Sequence, residues 1–210
     1  MKQRIIGTLI LTLVVFGYGC KDEHSDHDHL SHGDHSQHSA EHILPAGDAA
    51  QGSIYELDSS WTSEAGQKVQ FKQYKGKLFL VSMFYASCKS ICPRIVSDME
   101  QIGKKIQDKT GQTPTMVLVS FDSKNDTPAS LDKYKKNMNL GKNWVLLNGS
   151  DDAVRTLSIV LGVNYKQTSD GEFNHSAIVS LISKDGFVVS RVEGIGTNPD
   201  KLIEKYKELK

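Results

Sequence analysis

The sequence predicts an α/β fold, with one central sheet of mixed strand directions and helices on both of its faces. Three observations predict it. Two near-continuous apolar runs, at 78–85 and 115–121, have the composition of strands buried on both sides. Segments with apolar residues at helical spacing separate the apolar runs. Near the C-terminus, Lys184-Asp185-Gly186 supplies an Asp-Gly turn between two further apolar segments, which makes a hairpin.

The elements follow in order. Residues 54–57 and 69–71 alternate like short strands, and 78–85 is the first central strand. Cys88 to Cys92 follows it, and Pro93 suits the first turn of a helix because its missing N–H would have no partner there. Ile95, Val96, Met99, Ile102 and Ile106 recur on one face of that helix to about Asp108. After the strand at 115–121, Pro128 opens a second helix. A strand at 144–147 precedes a helix at 153–161 closed by Gly162. The hairpin joins 177–182 to 187–192, and a last helix starts at Asn198-Pro199, with Leu202, Ile203, Tyr206 and Leu209 sharing a face. A dithiol between the first central strand and its helix, with a closing hairpin and helix, gives a thioredoxin-like plan.

The chain has 210 residues, enough for one domain and an appendage. Its 38% hydrophobic and 24% charged residues are ordinary for a globular protein. The formal net charge is zero, and residues 44–210 carry a mild excess of three positive charges, so nucleic acid is not an expected partner.

The N-terminus reads as an address. Lys2 and Arg4 precede an apolar run at 5–16 that is shorter than the roughly 20 residues a spanning helix needs. Gly17-Tyr18-Gly19-Cys20 resembles the lipobox of bacterial lipoproteins, although an aliphatic residue is usual where Gly17 stands. On this reading 1–19 is a signal peptide and Cys20 is acylated. The protein is then exported and lipid-anchored to a bacterial cell membrane, with its domain in the periplasm or at the cell surface. Residues 20–43 form a polar tether expected to be disordered, holding His24, His27, His29, His32, His35, His38 and His42. Closely spaced imidazoles favour auxiliary capture of a metal ion such as copper, zinc or nickel over a merely solvated spacer. Residues 44–210 make up the folded domain.

With Cys20 set aside, Cys88 and Cys92 are the only cysteines of that domain, and His175 is its only histidine. Thiols at i and i+4 at a helix start can address one ion, and the helix N-terminus with Lys89 beside it favours thiolate. Two thiolates select soft ions, Cu(I) above all. The competing reading is a redox dithiol, but such motifs normally place two residues between the cysteines, not three. His175 precedes an apolar strand in the loop that faces the dithiol in a thioredoxin-like fold, where redox enzymes usually place a proline. This chain has His175-Ser176 there. Two sulfurs and an imidazole suit three-coordinate Cu(I), whereas structural zinc asks for a fourth protein ligand. Whether Cu(II) is also held is left open.

Three blocks carry a family resemblance over roughly residues 50–207. They are Cys88-x-x-x-Cys92-Pro93 after Phe84-Tyr85; Val119-Ser120-Phe121-Asp122 with Asp126-Thr127-Pro128; and His175-Ser176 with Ile182-Ser183-Lys184-Asp185-Gly186 downstream. Together they are similar to the Sco/SenC family of copper chaperones for respiratory oxidase assembly. The resemblance implies a thioredoxin-like fold and copper held by Cys88, Cys92 and His175. It also implies delivery to the dinuclear copper centre of cytochrome c oxidase, whose copper-receiving subunit is then the partner. Asp122 and Asp126 are supporting or docking groups on this reading, with helix capping by Asp126 as the alternative. Lys89, Ser90, Ser123, Asn125 and Asn174 depart from residues common in the family, which changes the surface around the site and removes no ligand.

No phosphate-binding loop, nucleophile elbow or catalytic carboxylate pair is present, so a metallochaperone is favoured over an enzyme. Two other functions stay open. One is an exported thiol–disulfide oxidoreductase with Cys88 as the attacking thiol, and the other a copper-sequestering lipoprotein. A thioredoxin-like reductant would be a further partner.

Overall fold

A computed structural model describes residues 43–210 of the protein. The expected signal peptide at 1–19, Cys20 and the seven histidines of the expected tether lie outside the described residues.

The central strands form where the apolar runs predicted them: β3 (Phe79–Phe84), β4 (Thr115–Ser120), β5 (Trp144–Asn148), β8 (Ile178–Ile182) and β9 (Val188–Glu193). Every residue of β3 is buried, which is why its sequence shows no alternation. The helices are α1 (Ile91–Thr110), α2 (Pro128–Asn137), α3 (Asp151–Leu161) and α4 (Asp200–Leu209). Thr127 caps α2 by accepting the Ser130 N–H, and Ser150 caps α3 by accepting from Ala153. Gly111 and Gly162 end α1 and α3 in the left-handed conformation.

Two further strands, β1 (Trp61–Ser63) and β2 (Lys68–Val69), complete a seven-stranded sheet of order β2-β1-β5-β4-β3-β8-β9. β3, β4 and β5 run parallel, while the β3–β8, β8–β9, β1–β5 and β1–β2 pairs are antiparallel. The fold is therefore mixed and mostly antiparallel, on the thioredoxin-like plan. α1 packs against α4, and α1 approaches β4 so closely that a Cβ at Gly103 would sit 2.0 Å from Met116 Cε.

Some local expectations are corrected. Residues 54–57 are not a strand. Ile54–Glu56 is a 3₁₀ turn, started by the Ser53 hydroxyl accepting the Tyr55 N–H. The strand expected at 69–71 ends at Val69, and Phe71–Tyr74 is a second 3₁₀ turn. There Phe71 and Tyr74 pack on Phe79 instead of alternating across a sheet. The sequence reading had no counterpart for β1, or for the separate hairpin β6 (Tyr165–Gln167) and β7 (Phe173–His175). Strands of three residues carry too little periodicity to be recognised.

Candidate metal centre

The carboxyl ends of β3 and β4 and the end of β7 meet at one place, the usual position of a site in an α/β sheet. β3 delivers the chain to Tyr85, where a turn closed by the Cys88 N–H on the Tyr85 carbonyl, at 3.2 Å, swings Cys88 back over the sheet. The helix begins only at Ile91, so the two cysteines do not share a helical face as their spacing suggested. Cys92 is the second residue of α1, and Cys88 lies before it. The Cys92 N–H points at the Cys88 sulfur, 3.3 Å away, so that sulfur takes up one of the unpaired N–H groups of the first turn.

His175 ends β7, paired with Tyr165 of β6, and not in an open loop. Its Nδ1 lies 3.0 Å from the Ser176 carbonyl oxygen. A carbonyl can only accept, so Nδ1 carries a ring proton, and Nε2 is the nitrogen that faces the sulfurs, 3.7 Å from Cys92 Sγ. The backbone here is clamped. Leu44 N–H donates to the His175 carbonyl at 3.1 Å. The Ser176 hydroxyl donates to the Pro45 carbonyl and accepts from the Asn164 N–H. The ring itself is walled by Phe121, centroids 4.9 Å apart, and by Tyr85 edge-on at 6.2 Å.

Cys88, Cys92 and His175 are all buried, and their ligand atoms lie within 4.8 Å of one another. Metal–sulfur and metal–nitrogen bonds of about 2.0–2.3 Å around a trigonal ion separate the ligand atoms by about 3.7–4.0 Å. The 3.7 Å sulfur–imidazole distance already meets that value, and the widest separation needs less than about 1 Å of closure. The residues fit a small soft ion.

The two thiols are electrostatically unequal. Cys88 is lowered to about 3, first by the hydrogen bond from Cys92 and then by contact with His175 and the N–H groups of Cys92 and Ser90, all against the cost of burial. Cys92 is pushed well up, chiefly by burial and further by the neighbouring Cys88 thiolate. The two shifts run in opposite directions, so Cys88 is the thiol that favours the thiolate and Cys92 the one that favours the protonated form. Lys89 is not among the main causes of this asymmetry. It is exposed, and hydrogen bonds inside the site do the work.

Asp126 does not cap α2, because Thr127 does. Its buried carboxylate accepts the Ala86 N–H at 2.9 Å and the Ser120 hydroxyl at 2.5 Å, tying the turn before Cys88 to the end of β4. Burial raises its pKa, as does the charge of Asp122. Asp122 accepts the N–H and side-chain amide of Asn125, which shapes the β4–α2 loop. Neither carboxylate belongs to the ligand cluster. The sequence analysis gave no hydrogen-bonding role to Ser120 or to the Tyr85 hydroxyl, which donates to Glu172 at 2.5 Å and so pins the β6–β7 hairpin to the cysteine turn. A serine ending an apolar strand, two residues before an aspartate, was the available signal for the first. The second spans 87 residues and had none. Cys88 and His175 line a cavity of about 320 Å³ together with Lys89, Asp170 and Glu172.

The SCO1/SenC family model matches residues 47–210, almost the whole described domain. The chain belongs to the SCO1/SenC family. Among relatives of this SCO1/SenC protein, the SCO1 protein homolog of Bacillus subtilis is 25% identical over 159 residues, 73% of this chain and 82% of the relative. Among solved structures, a SCO1/SenC family lipoprotein from Bacillus anthracis superposes with a TM-score of 0.66 at 22% identity, covering 77% of this chain and 99% of that one. Arabidopsis thaliana ScoI with copper bound superposes with a TM-score of 0.63 at 23% identity, covering 71% and 93%. The thioredoxin-like fold is thus that of the family.

Proposed function

We propose that this SCO1/SenC protein is a copper metallochaperone that takes Cu(I) as cargo on Cys88, Cys92 and His175 and passes it to a partner by ligand exchange. One observation carries the reading: two sulfurs and one imidazole nitrogen, preassembled and buried, with no fourth protein ligand in the cluster among the described residues. Cys88 is the ready thiolate. Cys92 gives up its proton on loading, and Ser176 holds the His175 tautomer that binds. The recipient we favour is the copper-receiving subunit of cytochrome c oxidase, since proteins of the family are linked to assembly of that enzyme. Asp122 and its loop, beside the site, are the docking groups for that exchange, and Asp126 holds the cysteine turn.

The same proposal covers the N-terminal part. Cys20 is acylated and anchors the exported protein to a bacterial membrane, and the tether histidines collect metal. Supporting this, the chain enters the domain at Ile43, which bridges to His175 itself. Metal gathered on the tether would arrive next to the site. A thiol–disulfide reading has one specific observation in its favour, a buried protonated thiol beside an acidic one. We assign that property to gating: a Cys88–Cys92 disulfide would remove two of three ligands, and a thioredoxin-like reductant would restore them.

The test is an anaerobic competitive Cu(I) titration of residues 21–210 with the tether histidines replaced by serine. One tight equivalent is expected. Losing an outer partner of a metal ligand typically costs about 10–100-fold, so Cys88→Ala, Cys92→Ala and His175→Ala should each weaken binding by more than about 100-fold. Binding indifferent to His175→Ala, with dithiol exchange intact, would transfer the assignment to an oxidoreductase.

A further inference from the structure

The pole of the domain opposite the metal centre carries a lysine-lined pocket that the copper reading does not use. Topology puts it there. Lys77 precedes β3, Thr113 and Thr115 lie at the start of β4, and Lys184 follows antiparallel β8, whereas Cys88 and His175 lie at the other ends of these strands. The turns before β3 and after β8 are joined by the Gly76 N–H on the Lys184 carbonyl, 2.9 Å. Between them and the end of α4 opens a cavity of about 420 Å³ lined by Lys77, Lys184 and Lys210 with Thr113, Thr115 and the Tyr206 end of α4.

Two further features surround the pocket. Phe187, which ends the Lys184 turn, is 43% exposed, one of two large apolar side chains so exposed among the described residues. Lys75, in the turn before β3, is exposed as well. Lys184 Nζ donates to the Lys210 carbonyl oxygen and Lys210 Nζ to the Thr110 carbonyl oxygen, and among the described residues no side-chain carboxylate forms an ion pair with Lys77, Lys184 or Lys210. Glu204 pairs with Lys109 and Glu208 with Lys205, leaving Asp185 as the acid within the two turns.

We propose that this pole docks on an anionic phospholipid surface, with a headgroup phosphate among Lys77, Lys184 and Lys210 and the Phe187 ring in the interfacial layer. Ammonium groups and hydroxyls around a cavity suit a phosphate, and an exposed aromatic beside them suits the headgroup–acyl boundary. The consequence is orientation. The six residues of β3 span about 20 Å, so a docked pole holds the metal centre facing away from the bilayer, toward partners in the aqueous space. The tether permits this. The 22 residues between Cys20 and Ile43 can extend to about 75 Å, enough to pass from a membrane to the far pole where the chain enters the domain. Docking itself depends on neither the acyl group nor copper.

The experiment is vesicle co-sedimentation of residues 21–210 without the acyl group. It compares vesicles of equal parts phosphatidylglycerol and phosphatidylcholine with vesicles of phosphatidylcholine alone. Binding is expected only to the anionic vesicles and should weaken as salt is raised. Each lysine near such a surface contributes about five-fold, so Lys77→Glu/Lys184→Glu should lower binding by at least about 25-fold. Phe187→Ser should lower it by about 10-fold. All of these side chains are remote from the site, so the variants should keep the wild-type copper stoichiometry. That readout separates a lost docking face from a lost fold. Equal binding to both vesicle types, no binding to either, or binding that survives the double charge reversal would each overturn the proposal.

Discussion

The inequality of the two thiols can be read directly, and working out its size changes which experiment is informative. An ordinary thiol with pKa near 8.5 is about 0.3% ionised at pH 6, whereas Cys88, lowered to about 3, is fully ionised there. The gain in thiolate is about 300-fold. Intrinsic nucleophilicity falls with pKa at a Brønsted slope of about 0.4–0.5, and over 5.5 units that loses about 300-fold. The two effects cancel, so the absolute rate of alkylation at pH 6 says nothing. The slope does. In the reduced apoprotein, iodoacetamide should label Cys88 at a rate nearly flat from about pH 5 to 8, where an ordinary thiol gains about ten-fold per unit. Cys92→Ala removes the largest cause of the depression and should bring a rising slope back into this window. A ten-fold rise per pH unit in the wild type would refute the thiolate assignment. The linkage to stability follows the same signs. Cys88, depressed on folding, contributes stability that is complete above its unfolded pKa and is lost as pH falls toward 3. Cys92, raised on folding, contributes stability present below its unfolded pKa and lost as pH rises beyond it.

Two structural predictions accompany it. Asp126→Ala leaves the Ala86 N–H and the Ser120 hydroxyl buried without their acceptor, and should cost about 3 kcal/mol in urea denaturation. Asp126→Asn keeps one acceptor oxygen and should cost much less, because burial already disfavours the carboxylate; equal losses would show that the charge, not the hydrogen bonds, matters. Gly186→Ala should cost about 3 kcal/mol as well, since φ is 89° and the new Cβ would lie 2.4 Å from Ser53 Oγ and 2.6 Å from the Tyr55 ring. An unchanged urea midpoint would mean the 3₁₀ turn at Ile54–Glu56 yields freely.

Much of this protein is legible in its sequence because the signals are local. The buried strands β3, β4 and β8 announce themselves as near-continuous apolar runs, α1 by the spacing of Ile95, Met99, Ile102 and Ile106, and the β8–β9 turn by Asp185-Gly186. The candidate ligand set is legible too, for a simpler reason. The folded domain has only two cysteines and one histidine, so a soft-metal site had few candidates. What the sequence misjudged or missed depends on contacts between distant segments. Ile54–Glu56 alternates like a strand, but Ser53 and the Gly186 turn hold it as a 3₁₀ turn. The three-residue strands of the β6–β7 hairpin exist because each pairs with the other and with the cysteine turn through Tyr85 and Glu172. Tertiary structure also decided where Cys88 sits, outside the helix and capped by a backbone N–H. It decided which thiol keeps the proton, since that follows from burial and hydrogen-bond direction at 3–4 Å. Residue identity and spacing determine which atoms can bind a metal; only packing sets their charge state and the direction in which they face.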